Sequence, residues 1–161
     1  MLRDIDQDLK LNFNSDDDDL LEDLLVPLLK QSITYDRAVG YFSADIFKIA
    51  AEGLSVFVKN KGKIRLIVGN FINIKDYDAL NIKPKEKDIF KKTDEELIEY
   101  FETISDDLHN FRIDCLSWLV ANNQLEIKVA FKRNGIFHAK YGILKDQNNS
   151  RVVYSGSGND T

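Results

Sequence analysis

Leucines recur at positions 20, 21, 24, 25, 28 and 29, directly behind the run Asp16-Asp17-Asp18-Asp19. That spacing predicts an amphipathic helix whose N-cap and acidic first turn come from the aspartates. Pro27 falls inside it and predicts a kink or a boundary. Residues 1–14 have no clear periodicity and read as a loose or partly extended arm. Segment 33–42 alternates as a strand, with Ala38 and Gly40 on one face and Val39 and Tyr41 on the other. A helix over 45–59 follows, apolar at Ile46, Ile49, Ala50, Leu54 and Phe57, with Gly62 as its C-terminal stop. Segment 63–68 is the next strand. Strand, helix, strand in that order implies parallel neighbours joined by a right-handed crossover.

Residues 71–92 are polar, lysine-rich and contain Pro84, which predicts a short helix and a loop. Thr93-Asp94-Glu95-Glu96 resembles a capping box. Beyond it, Leu97, Phe101, Ile104, Leu108 and Phe111 recur at helical spacing, predicting one long helix or two in sequence to about residue 122. His109 falls there among Asp106, Asp107 and Asn110 and reads as a solvated surface histidine. Trp118 reads as core or interface. Strands over 125–131 and 136–144 flank Lys132-Arg133-Asn134-Gly135, and Asn-Gly between such runs predicts a hairpin. A second hairpin is expected from 136–144 to the strand 151–154 through the polar turn Asp146-Gln147-Asn148-Asn149-Ser150. The fold class is therefore α/β: a mixed β-sheet of at least five strands flanked by helices. The N-terminal arm, 1–15, precedes one domain, 16–161, with no internal repeat.

Composition narrows the setting. The chain has 161 residues, 43% hydrophobic and 30% charged, which suffices for a core without cross-links. Its one cysteine, Cys115, has no internal disulfide partner and reads as a small buried apolar residue. With no signal peptide and no long apolar run, the expected setting is the cytoplasm, with no membrane partner. The net charge of −5 argues against a nucleic-acid enzyme until its distribution is considered. Acid is concentrated in the first 23 residues, whereas Lys128, Lys132, Arg133, Lys140, Lys145 and Arg151 crowd the C-terminal part. A phosphate-binding face there is compatible with an acidic whole.

The candidate chemistry lies in Phe137-His138-Ala139-Lys140-Tyr141-Gly142-Ile143-Leu144 and in Gly156-Ser157-Gly158-Asn159. On a strand, His138 and Lys140 point the same way, and Phe137, Ala139, Tyr141 and Ile143 point the other way, into the expected core. An imidazole beside a fixed ammonium suits attack on a phosphate ester: one attacks phosphorus or moves a proton, the other neutralises non-bridging oxygens. Glycines after the next strand allow close approach of an anion, and Ser157 and Asn159 add donors. The expected hairpin brings that loop beside the His/Lys pair. A lone histidine in a sheet is more often a satisfied core residue; the lysine and the loop shift that balance. Two histidines, one cysteine and scattered acids give no metal-ligand spacing, and adjacent aspartates at a helix start do not converge on one ion, so no metal or cofactor is expected.

At these residues the chain resembles the phospholipase D superfamily, whose signature is HxK followed by GSxN after the next strand. HxK is His138-Ala139-Lys140 and GSxN is Gly156-Ser157-Gly158-Asn159. The likeness is closest to the nuclease-like branch, which includes metal-independent restriction endonucleases and helicase-associated domains. Tyr35-Asp36-Arg37-Ala38-Val39-Gly40-Tyr41-Phe42-Ser43 and Lys63-Ile64-Arg65-Leu66-Ile67-Val68-Gly69-Asn70 resemble that branch's first two strands. The resemblance thus spans about 18–161. It implies a single-motif half of the phospholipase D-like fold. It implies a phosphodiesterase, foremost a metal-independent DNA endonuclease of restriction, defence or helicase-associated type, acting through a phosphohistidine. The catalytic residues would be His138, Lys140 and Asn159, with Gly156, Ser157 and Lys140 binding phosphate. One HxK per chain implies a homodimer with facing motifs, and the full-length protein would add a helicase or target-recognition region. Two departures stand out. Lys145 occupies the position where the longer motif has aspartate, with Asp146 one residue late, and the chain stops directly after GSxN where the family continues, so an excerpt of a longer protein is expected. The competing readings are a phospholipase or phosphatidyltransferase, and a non-catalytic nucleic-acid-binding module.

Overall fold

In a computed structural model, which describes residues 1–5, 9–13, 18–42, 51–72, 108–130 and 137–156, Asp19 caps the first long helical segment as its sequence suggests. Its carboxylate accepts the N–H groups of Leu21 and Glu22 at 3.0 and 3.1 Å. The segment opens as a wide π-helical turn, Leu20–Leu25, and continues as helix α2, Val26–Gln31. Pro27 marks the change, sitting in the first turn of α2 directly behind the π-helical turn. The N-terminal residues are not a loose arm. Helix α1, Leu2–Ile5, buries Leu2 in the core, and Ile5, Leu9 and Phe13 pack against it.

Strand β1, Thr34–Phe42, leads towards helix α3, of which Ala51–Lys59 is described. α3 packs on α2. The approach is close at Gly53, where a Cβ would stand 2.9 Å from the Val26 carbonyl oxygen, and Lys30 meets Glu52 across it at 2.6 Å. The end of α3 is a Schellman motif: Gly62 N–H reaches the Phe57 carbonyl, Lys61 N–H reaches Val58, and Lys61 carries the left-handed backbone at φ 54°. Gly62 thus follows the left-handed residue, and its missing side chain makes room for the Phe57 ring, 2.3 Å from a hypothetical Cβ. Helix α4, Leu108–Ala121, ends the same way, with Gln124 bonded to Leu119, Asn123 to Val120, and Asn123 at φ 57°. Each motif turns the chain directly into a strand: β2, Lys63–Ile72, and β3, Leu125–Val129.

The sheet has five strands in the order β3-β2-β1-β4-β5, with β4 at Lys140–Lys145 and β5 at Arg151–Ser155. β1, β2 and β3 are mutually parallel; β4 runs antiparallel to β1, and β5 antiparallel to β4. The fold is a mixed α/β fold, and the hairpin from β4 to β5 forms as expected. The hairpin expected at Asn134-Gly135 does not: β3 and β4 are separated by β2 and β1. Asn-Gly is a local signal, and it loses to the pairing of β4 with two other strands, which fills both its edges. Residues 131–136, the stretch 73–107 with its capping box, the start of the 45–59 helix up to residue 50, and residues 157–161 lie outside the described residues.

Burial alternates cleanly along β2, with Ile64, Leu66 and Val68 covered and Lys63, Arg65 and Ile67 exposed. The register carries that division across the sheet. Tyr35, Val39, Ile64, Leu66, Val68, Leu125 and Leu144 face a core shared with Leu28, Leu29, Leu54, Phe57, Val58, Leu116, Trp118 and Leu119. Tyr141, Ile143 and Val153 face the other way, and Tyr141 and Val153 are exposed. The expectation that Tyr141 and Ile143 enter the core is therefore corrected. The alternation is right, but the covered side is that of Lys140, Gly142 and Leu144. Gly142 has no side chain because the Tyr154 ring crosses over it from β5, 2.4 Å from where a Cβ would stand, to bring its hydroxyl 2.5 Å from that of Tyr35. Cys115 is buried in the core, and desolvation pushes its thiol pKa far up, which marks it as structural rather than reactive.

Asp146, at the turn between β4 and β5, is buried. Oδ1 accepts the N–H groups of Asn148 and Ser150 at 2.9 Å each, and Oδ2 accepts the N–H of Leu2 at 3.1 Å. Burial alone would raise its pKa. The three backbone N–H groups, with the nearby N-terminal ammonium, outweigh that and hold it below the usual value. A carboxyl lowered in the folded state contributes stability above its unfolded pKa of about 3.9, which is lost as pH falls through the folded value. Asp146→Asn should lower the melting temperature at neutral pH, and the gap from the parent should close as the pH drops below about 4. A gap that stays constant with pH would show that the carboxylate charge is not what matters.

Candidate active site

The C-terminal ends of β1, β2 and β3 lie on one side of the sheet, and because β4 is antiparallel to β1 its first residue, Lys140, enters from that same side. β5 returns to it, so Ser155 pairs with Tyr141 and the Gly156 N–H donates to the Lys140 carbonyl at 3.1 Å. The hairpin therefore places the start of the Gly156-Ser157-Gly158-Asn159 loop next to Lys140. Ser157 and Asn159 lie outside the described residues. Gly156 is described, and its N–H belongs to the sheet ladder, so the residues after it must supply any amide donors to a phosphate. Nothing stands within 4 Å of where a Gly156 Cβ would be, which leaves its open side approachable.

His138 is exposed and precedes the strand; the pairing begins only at Lys140. Lys140 is opposite Val39 in the register, on the covered face, and is half-buried. Its stem lies at the rim of the core and its ammonium reaches out to the imidazole, 2.7 Å from Nε2 and 3.3 Å from Nδ1. An ammonium has only donors, so Nε2, the nearer ring nitrogen, accepts from it in the tautomer that leaves its lone pair free. The sequence-derived pair is thus brought into direct contact. The lone pair that would attack an electrophile is held by the cation that would neutralise it.

What the sequence does not announce is how His138 gets there. β3 and β4 stand on opposite sides of β2 and β1, and residues 137 and 138, which lead into β4, pass over two glycines. A Cβ on Gly40 would stand 2.9 Å from the Phe137 carbonyl oxygen and 3.4 Å from the His138 Cα. One on Gly69 would stand 2.3 Å from the Gly40 carbonyl oxygen and 3.3 Å from that of Phe137. The β1–β2 register also shifts here, between Val39 and Tyr41. Both glycines sit at the ends of strand patterns, and a glycine within a strand pattern is the signal that could have pointed to a close backbone approach.

One pleat repeat along β1 from Val39, about 7 Å away, Arg37 is only 7% exposed and lies over the Tyr154 ring, 5.4 Å from its centroid. It shares the Lys140 face, so the site has a second cation behind the first. Asp146 is at the far end of β4 and belongs to the turn rather than to the site. His109 is on α4, and its side chain lies outside the described residues. Among the described residues no group of three His, Cys, Asp or Glu side chains is arranged to hold a metal ion, and no helix is long and apolar enough to cross a membrane. Comparisons of the chain with models of protein families, with curated proteins and with solved structures gave no match.

A methyl group on Gly40 would meet backbone rather than a movable side chain. Gly40→Ala should cost about 1–3 kcal/mol of stability, as overpacking does, and displace residues 137–138. The chain has two histidines, so the imidazole NMR signals separate the effects: that of His138 should shift and that of His109 should not. Unmoved signals would mean that the crossing tolerates the methyl.

Proposed function

We propose that this chain is a phosphodiesterase of the phospholipase D type, foremost a metal-independent DNA endonuclease domain. The observation that carries the reading is the contact of the Lys140 ammonium with Nε2 of His138, at the sheet end where β5 delivers the Gly-Ser-Gly-Asn loop. A phosphodiester entering the site takes over the ammonium through a non-bridging oxygen, and this frees the Nε2 lone pair. Nε2 attacks phosphorus, the bond to the leaving oxygen breaks, and that oxygen takes a proton from an acid on the opposite side. Water, deprotonated by that same group, then attacks the phosphohistidine and restores Nε2. Lys140, with donors from Ser157 and Asn159, balances the charge of the five-coordinate phosphorus. The buried Cys115 suits a reducing, cytoplasmic setting.

In-line transfer needs a nucleophile on one side of phosphorus and an acid on the other, and one histidine cannot hold both positions in one step. The acid is His138 of a second copy, with the two HxK segments facing each other across a two-fold axis. A lipid substrate is the second reading. Lys145, standing where the longer motif has aspartate, favours nucleic acid over it.

Plasmid DNA incubated with the protein in EDTA should be cleaved, and His138→Ala should abolish cleavage without a fall in melting temperature. Lys140→Ala should raise the barrier by about 2–4 kcal/mol, as loss of one oxyanion donor does. Cleavage restored only by Mg²⁺, or a His138→Ala protein that retains full specific activity, would overturn the mechanism.

Assembly is tested by mixing. Heterodimers of His138→Ala and parent chains should have little activity, since neither histidine finds its counterpart. A fully active monomer in sedimentation would remove the dimer from the scheme.

A further inference from the structure

The face of the sheet away from the helices carries a row of positive charge that the proposed chemistry does not use. Across four strands in register stand Lys63 on β2, Thr34 on β1, Lys145 on β4 and Arg151 on β5. They line a hollow of about 760 Å³ that wraps the end of the sheet, with Asp36, Arg65 and Glu126 on the face and Val120 and Asn123 at the end of α4. Arg65 donates to both carboxylate oxygens of Asp36 through Nε and Nη2, and Glu126 pairs with Lys128 at 2.9 Å. Lys63, Lys145 and Arg151 have no acidic partner among the described residues.

Two physical arguments say that this row is built for a ligand. Lys145 and Arg151 are directly opposite each other across an antiparallel pair, where like charges destabilise a sheet. The fold accepts that cost at a position where any neutral residue would avoid it. Further, parallel strands ordinarily have both faces covered, yet among the described residues nothing covers Lys63, Arg65 and Ile67 of β2. A partner that meets this end of the face finds Lys63, Lys145 and Arg151 on successive strands, and a chain of negative charge matches them.

We propose that Lys63, Lys145 and Arg151 form a distal phosphate-binding row for the backbone of a DNA duplex whose scissile phosphate lies at His138. This rests on the nuclease reading. The row lies about 17 Å from Lys140 along β4, which corresponds to about five base pairs of duplex. His138 stands at the end of the sheet where β4 begins, so a duplex running along this face to that end meets both places. The row adds affinity and orientation and contributes no sequence readout.

The test uses the full chain with His138→Ala, so that binding is read without cleavage, and a short fluorescein-labelled DNA duplex followed by anisotropy between about 50 and 200 mM salt. Replacing Lys63, Lys145 and Arg151 together by Gln should lower the slope of log Kd against log salt by about 0.9 per lost phosphate contact, so by about 2.7. Replacing the remote Lys10 and Lys59 by Gln should leave it unchanged. Without DNA, Arg151→Gln should raise the melting temperature at low salt by relieving the pair with Lys145. An unchanged slope in the triple variant, or a parent that binds no duplex, overturns the row. EDTA-resistant cleavage with an unchanged slope refutes the row and leaves the nuclease reading standing. Loss of slope in a protein that cleaves nothing keeps the row and refutes the nuclease.

Discussion

β1 has a parallel partner on one edge and an antiparallel partner on the other, and most of the molecule follows from that. Three parallel strands require crossovers, which supply α3 and α4 and bury one face of the sheet under them. The antiparallel fourth strand must start where the first three end. Residues 137 and 138, which lead into it, therefore stand at the carboxyl ends of parallel strands, where α/β sheets place ligands. His138 is one of them. Its position is a topological result, enforced by the lack of side chains at Gly40 and Gly69.

Local chemistry was legible in the sequence where one short segment settles the outcome. Asp19 is a cap whatever surrounds it, Pro27 marks a boundary, and the polar turn 146–150 closes a hairpin. Sites where the sheet decides were not legible. Asn134-Gly135 carries a strong turn signal, yet β4 pairs elsewhere because its apolar edge fits between β1 and β5. The alternation of 137–144 gave the right parity and the wrong covered side, since Tyr141 and Ile143 are as apolar as Leu144. No spacing rule foretells that Tyr154 crosses Gly142 to meet Tyr35, or that Asp146 ties the turn to Leu2. The late aspartate of the motif reads as a misplaced functional group in sequence and is a structural one in the fold.

In the site, the pair His138-Lys140 was visible from its spacing. The buried Arg37 behind it was not, since an arginine in an alternating strand reads as surface. Its burial depends on an aromatic ring delivered by β5, a strand more than a hundred residues away. The site and the core are therefore continuous: Tyr35, Arg37, Gly142 and Tyr154 join the packing under the sheet to Lys140.

Cys115 has a further use. It is the only thiol in the chain and lies fully buried beside Leu116, Trp118 and Leu119. Its side chain meets a water-soluble reagent only when the helix layer separates from the sheet. When closing outpaces the reaction, the labelling rate reports the free energy of that opening directly. The molecule thus contains its own stability gauge at the centre of its core, and the effect of a bound ligand on the fold can be followed there without adding a probe.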